Sequence, residues 1–337
     1  MKLPASIRAA QICALSRRCK WLRSSYEETH VTEPAGVFVQ ISVAASAFIF
    51  PRHRYTWTNM APPTGQQHPA LHHHAEPWSG LLSNAAPRDH IVQLYQDQQF
   101  LNRAVCRFAA SAITNGEGVI LVPTIAHWDA FRPRLEAEGI DIKAAQSRGQ
   151  LTVVDADDLL PTFMRDAVPD SPVFLGLAQG IVQDARREGE YQKVRWWGEM
   201  VNILWERGDA AASMGLEDLF DQLADEQNIA IFCSFVMDNF NGDVHTRMLP
   251  RLSENHSHLI PVEDYSLLER AVSEALRETV GPDDSTVLET QLLSQYPGPF
   301  HMPRSQALLL ALRQVLPQVA DDVLKRSQVL YRSAGGE

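Results

Sequence analysis

Glu199 stands among Trp196, Trp197, Met200 and Trp205, where a carboxyl group loses hydration and gains affinity for a proton. That setting suits an acid that binds a ligand, and equally one held in a buried hydrogen bond. His127 follows Thr124 by three residues. The imidazole offers a ligand-side base, and the threonine hydroxyl suits the cap of a helix starting near Ile125. Asp97 and Asp155 each precede a helix-like run, where a carboxylate accepts the free backbone N–H groups and favours the positive end of the helix dipole. Asp155 also suits a hydrogen bond to a ligand. His90 reads either as a ligand-facing group at a sheet edge or as a satisfied structural histidine. Tyr95, Trp128 and Trp205 suit the wall of a small-molecule pocket, or the core.

The remaining donors point less clearly to chemistry. His256 and His258 lie two apart and face one side if extended. With Cys233 or Glu199 they would offer nitrogen, sulfur and oxygen to a metal. Their spacing matches no recognised zinc pattern, and neither a metal nor a cofactor is expected. Cys233 in an apolar run reads as a small core residue, and Glu217 as a dipole-favouring acid at a helix start. The His72, His73 and His74 tract lies in a Pro-rich segment and reads as solvated chain. No Ser-His-Asp or Cys-His order stands out and GxSxG is absent, so a non-enzymatic role is expected.

These side chains need elements to hold them. Apolar runs at 90–95, 118–123, 151–155, 194–197, 230–235 and 259–262 predict buried strands. Helical periodicity predicts helices over 97–115, 125–138, 172–188, 200–207 and 214–226, with a further start at 159–164. Strands alternating with helices of this length make a mostly parallel, doubly wound sheet. Beyond residue 265 the pattern is helical (267–279, 305–315 and 319–331), with a turn-rich linker at 281–303.

In such a sheet, ligands bind beyond the carboxyl ends of the strands. After the first strand, a nucleotide site would place glycines to wrap phosphates and a lysine to neutralise them. The chain has neither glycine nor lysine between His90 and Asn115. Asp97 instead puts a negative charge there. A nucleotide site of the usual kind is not expected.

The order of elements resembles that of RecA/KaiC-like ATPases, in which Glu199 would occupy the place of a Walker B acid. More specifically, the stretches HIVQLY (90–95), GEG (116–118), TIAH (124–127), GQLTVVDA (149–156), GEMVNILW (198–205), LEDLFDQL (216–223), Cys233 and HSHLIP (256–261) resemble the MEDS family. This is the sensory domain named after methanogen and methylotroph proteins and the dichloromethane-responsive repressor. The resemblance spans about residues 88–265. It implies a RecA-like fold without a working Walker motif, and a role in sensing small, hydrocarbon-derived ligands. Members often accompany DNA-binding or histidine-kinase modules, whose signatures are not seen in this sequence.

Bulk properties set outer limits. The 337 residues are 45% hydrophobic and 21% charged, as in globular proteins. The net charge of -11 is uneven. Residues 1–89 hold nine Lys and Arg against five Asp and Glu, and the rest hold 21 against 36. So acidic a body does not suit a phosphate backbone, and direct nucleic-acid binding is not expected. Four cysteines without a CxxC pair suggest a reducing, cytoplasmic setting. The apolar stretch at 37–50 is shorter than the roughly 20 residues that cross a bilayer, so no membrane partner is expected.

The expected organisation is a disordered extension over 1–87, a RecA-type sensory domain over 88–265 and a helical extension over 266–337. Met60 marks an alternative start, which would make 1–59 a start-site artefact. The fold class is three-layer α/β. The expected ligand-side residues are His90, Tyr95, Asp97, Thr124, His127, Asp155, Glu199 and Trp205. Expected partners are a small molecule, a signalling protein or a second copy of the chain. A divergent ATPase, and an interaction scaffold for a histidine kinase or transcription regulator, are the alternatives.

Overall fold

The computed structural model describes residues 77–294 and 300–336. The expectations for 1–59 and for the His72–His74 tract lie outside the described residues.

Six parallel strands form the central sheet: β1 (His90–Tyr95), β2 (Gly118–Val122), β3 (Leu151–Val153), β6 (Val194–Gly198), β7 (Ala230–Val236) and β8 (His258–Ile260). Their order is β3-β2-β6-β7-β1-β8. The intervening β4 (Met164–Arg165) and β5 (Val168–Pro169) make a small antiparallel hairpin apart from the sheet. Every residue of β1, β2 and β6 is buried, because helices cover both faces. Alternate side chains serve opposite layers. Trp196 packs with Val92, Ile120 and Cys233, whereas its neighbour Trp197 packs with Ile91, Val119 and Phe232.

One layer holds α1 (Pro77–Ser83), α2 (Gln98–Thr114), α3 (Ile125–Ala137) and α4 (Ile142–Ser147). The other holds α5 (Ala156–Phe163), α6 (Ser171–Arg186), α7 (Met200–Glu206), α8 (Ala210–Gln227) and α9 (Leu249–Asn255). The result is a three-layer α/β fold of RecA-like type. Acidic side chains start many of these helices. Asp97, Asp141, Asp155, Asp170 and Asp209 each accept a backbone N–H of the first turn, satisfying donors that have no partner inside the helix. Gly118 has a steric reason: a Cβ there would meet the Ala185 carbonyl oxygen at 2.9 Å, so α6 packs this close to β2 only above a glycine.

Two expectations are corrected. Order starts no later than Pro77, before the expected Arg88, because Trp78 and Leu82 of α1 are buried against α2. The anchor is Arg195 of β6. Its guanidinium is 2% exposed, pairs with Glu117, and donates to the carbonyls of Leu82 at 2.7 Å and Ser83 at 3.2 Å. Second, the linker expected at 281–303 contains a helix, α11 (Pro282–Ser294), with Pro282 at its start and Asp283 and Asp284 in its first turn. The turn signals mark a helix N-terminus.

The helical tail packs on the sheet domain. The helices α10 (Tyr265–Val280), α11, α12 (Arg304–Val315) and α13 (Pro317–Ser333) share a core of their own that also takes Phe240 and Val262. Leu310 and Phe300 pack into the sheet core, and the described residues fall in one compact unit. His301 adds a parallel bridge beside His258 at the sheet edge.

Candidate functional site

The chain leaves β2 towards β3 at the sheet edge and leaves β6 towards β7 in the opposite direction, although β2 and β6 are neighbours. This is the topological switch point at which open α/β sheets take ligands. Glu199 stands there, at the end of β6 and 3% exposed. One oxygen accepts the Thr124 backbone N–H and the other accepts His127 Nδ1. Nε2 of His127 meets the Gln98 side-chain oxygen at 2.9 Å, and Gln98 also bonds the Tyr95 side chain. Tyr95, Gln98, His127 and Glu199 therefore form a continuous polar line across the ends of β1, β2 and β6. Burial, with Glu199 and Glu206 nearby, pushes the Tyr95 phenol far up, so it stays protonated.

Next to this line, an open cleft of about 390 Å³ lies at the carboxyl ends of β1, β7 and β8. The sheet contributes Tyr95, Asp97, Asp238 and Glu263 to its lining, and the end of the tail contributes Tyr331, Arg332 and Gly336. Arg103 bridges Glu263 and Asp97, the latter at 3.3 Å, and Arg332 reaches Asp238 at 3.1 Å. The lining carries Asp97, Asp238, Glu263 and Asp264 against these two guanidiniums. Carboxylates thus outnumber cations, and the cleft favours neutral or cationic guests over phosphates.

The predicted residues separate into groups. Tyr95 and Asp97 line the cleft, and Asp97 also caps α2 through the amides of Gln99 and Phe100. Thr124 caps α3 at 3.4 Å and, with His127 and Glu199, belongs to the polar line. Asp155 caps α5 through Asp157 and Asp158, the capping role among its two readings. Trp205 meets Phe235 edge-on at 6.4 Å and packs on the core, so it lies outside the cleft lining. His90 is at the amino end of β1 and 1% exposed. It is separated from the ligand edge by the length of the strand.

His90 joins a different assembly. His90, Glu217, Cys233 and His256 are all buried, and their donor atoms lie within 4.8 Å of one another. His258, expected beside His256, turns away to Ser257 at 2.8 Å and stacks on His301, because His256 is the C-cap of α9 and only His258 belongs to β8, so the two do not share one extended run. The structure brings His256 to Cys233 and leaves Glu199 with His127. Burial opposes a charge on His90, but Asp221 and Glu217 raise it to about 9. Burial and the His90 charge push His256 down, leaving one cationic and one neutral imidazole. Glu217 stays ionised despite burial because His256 and His90 favour its charge.

Sequence reading missed Gln98, Asp238, Glu263, Arg332 and the role of Glu217. None carries a local signal, since their partners lie far away in the chain. No helix among the described residues is long and apolar enough to cross a membrane. No curated protein matches the chain. Residues 89–250 match the family described as MEthanogen/methylotroph, DcmR Sensory domain. The match covers the sheet from β1 to β7, the switch point and all four buried donors but His256. In this part the chain is similar to the MEDS family of sensory domains.

Proposed function

We propose that the protein is a non-enzymatic sensory regulator that takes a small neutral or cationic organic molecule, hydrocarbon-derived, in the cleft beside Tyr95 and Asp97. One observation carries the reading: the cleft is walled on one side by strand ends and on the other by the last helix of the chain. A ligand there touches both, so it favours the arrangement in which Arg332 and Tyr331 close on the sheet. A ligand shifts an equilibrium only through such a difference in contacts.

Output passes through a signalling protein or transcription regulator that reads the position of the helical tail. The unpaired, buried thiols of Cys106 and Cys233 suit a reducing, cytoplasmic setting. The Asp97 carboxylate at the start of α2 opposes ATP, since it already fills the anion position of that helix terminus.

Thermal denaturation of the full chain in the presence of short alcohols, methylated amines and halogenated methanes tests the proposal. A compound that raises the melting temperature in wild type, and does so less in Arg332→Ala, is the expected result. Stabilisation by magnesium–ATP but by none of these compounds would reverse the reading in favour of an ATPase.

A further inference from the structure

Two imidazoles, one thiol and one carboxylate meet inside the layer between the sheet and α8, at the opposite end of β1 from the cleft. His90 Nε2 lies 3.2 Å from Glu217 Oε2 and 3.5 Å from Cys233 Sγ. His256 Nε2 lies 3.3 Å from the same Glu217 oxygen. The tautomers follow from the partners. His90 Nδ1 faces the Asn255 carbonyl oxygen at 2.7 Å, and His256 Nδ1 faces the Leu252 carbonyl oxygen at 2.9 Å. A carbonyl oxygen only accepts, so both Nδ1 atoms carry hydrogen. In each neutral ring the Nε2 lone pair then points at Glu217.

Lone pairs facing a carboxylate repel unless a cation sits between them. With both rings neutral, no imidazole donates to either Glu217 oxygen and His256 Nε2 has no hydrogen-bond partner, although Glu217 is 0% exposed and His256 is 6% exposed. Burying such groups without partners costs free energy. A proton on His90 compensates only one of these contacts. A divalent ion would satisfy all of them at once.

From this geometry we infer that His90, Glu217, Cys233 and His256 form a closed binding site for a divalent transition metal such as Zn²⁺. A four-coordinate ion with bonds of about 2.0–2.3 Å sets its donors roughly 3.3–3.8 Å apart; the separations of 3.3 and 3.5 Å fall in that range and the one of 3.2 Å lies just under it. The donor set suits zinc and its neighbours, whereas magnesium and calcium favour all-oxygen sites. On coordination Cys233 gives its proton to solvent, and one thiolate plus one carboxylate then balance the dication.

The surroundings are those of a metal site. Both ligating rings donate their other N–H to carbonyl oxygens, which fixes their orientation and raises their basicity. Asn255 serves both rings: its carbonyl holds His90, and its Oδ1 lies 2.8 Å from His256 Nδ1. Its amide in turn donates to Asp218 at 3.0 Å. The site is independent of the cleft reading, since the two share no residue.

The test is a Co²⁺ titration of chelator-stripped full chain, kept reduced, followed by competition with Zn²⁺. Saturation at one ion per chain is expected, with tetrahedral cobalt bands in the visible and thiolate-to-cobalt charge transfer in the ultraviolet, both abolished by Zn²⁺. Cys233→Ser should remove the charge-transfer band. Glu217→Gln should weaken binding by about 100-fold or more, and Asn255→Ala by roughly 10- to 100-fold. Replacing His72, His73 and His74 by Ala should leave the spectrum unchanged. If Cys233→Ser fails to fold, Glu217→Gln, which preserves shape, carries the same comparison. Absence of a saturable tetrahedral signature in wild type, or a charge-transfer band that persists in Cys233→Ser, overturns the assignment.

Discussion

His127 and Glu199 join across the switch point of the sheet, with the imidazole Nδ1 on one carboxylate oxygen and the Thr124 amide on the other. The acid that sequence reading singled out for chemistry is thus fully engaged by its own fold. It sits beneath the ligand edge as a brace, tying β2 to β6 and, through Gln98, to the start of α2.

Removing that brace has a defined cost. Glu199→Ala leaves the half-buried Thr124 N–H without an acceptor and should destabilise the fold by about 1–3 kcal/mol. Glu199→Gln keeps one acceptor oxygen and should cost less. Urea denaturation of both variants measures the difference; equal losses would show that the volume of the side chain, rather than its oxygens, is what matters.

Arg195 is the second brace. Arg195→Ala strands the buried Glu117 charge and the carbonyls of Leu82 and Ser83, and should cost about 3–5 kcal/mol. Because those carbonyls belong to the first described helix, hydrogen exchange in α1 should accelerate more than in α2. Uniform acceleration would assign the loss to the sheet instead.

Asp97 caps α2 and also lines the cleft, and two substitutions separate these roles. Asp97→Asn retains a capping oxygen and should leave stability nearly unchanged, while Asp97→Ala should lose about 1 kcal/mol. Both remove the charge beside Arg103. A ligand whose stabilisation falls equally in the two variants recognises the carboxylate, and one affected only by Asp97→Ala depends on the cap.

His245 gives the fold a pH dependence. It is 1% exposed, and burial lowers it to about 4, against its bond to the Asn239 carbonyl oxygen and with Arg313 nearby adding to the depression. Arg313 itself pairs with Asp321 at 2.6 Å. For this base the unfolded chain takes up its proton first, near 6.5. The stability from a neutral His245 is therefore complete above 6.5, falls as pH drops, and is gone below about 4, a span of about 3 kcal/mol. Urea titrations between these limits should show wild type losing its advantage over His245→Gln. A constant difference would place the titration elsewhere.

Much of the fold was legible in local pattern. The six strands stand out because a parallel strand covered on both faces is apolar along its whole length, as in the GVILV and AIFCSF runs. The caps at Asp97, Thr124 and Asp155 were equally readable, since a cap is made by residues two or three positions away. The missing glycines after β1 are a property of composition alone. α1 and α11 escaped because one is a short helix held by a distant arginine and the other begins with residues that also make turns.

Residue types alone set the presence of an acid among tryptophans, of histidines near a cysteine, and of an acidic body. Only the tertiary structure decided which of them meet. The parallel register opposes Val92 to Cys233 and His90 to Ile231, which sets the start of β1 beside the start of β7 and leaves His90 within reach of the Cys233 thiol. α8 then lays Glu217 against that seam, and the turn after α9 adds His256. Such contacts join residues far apart in the chain, and sheet order and helix packing, rather than sequence spacing, choose them. For that reason His256 and His258, alike in sequence, ended with different partners, one facing a buried carboxylate and the other stacked on His301.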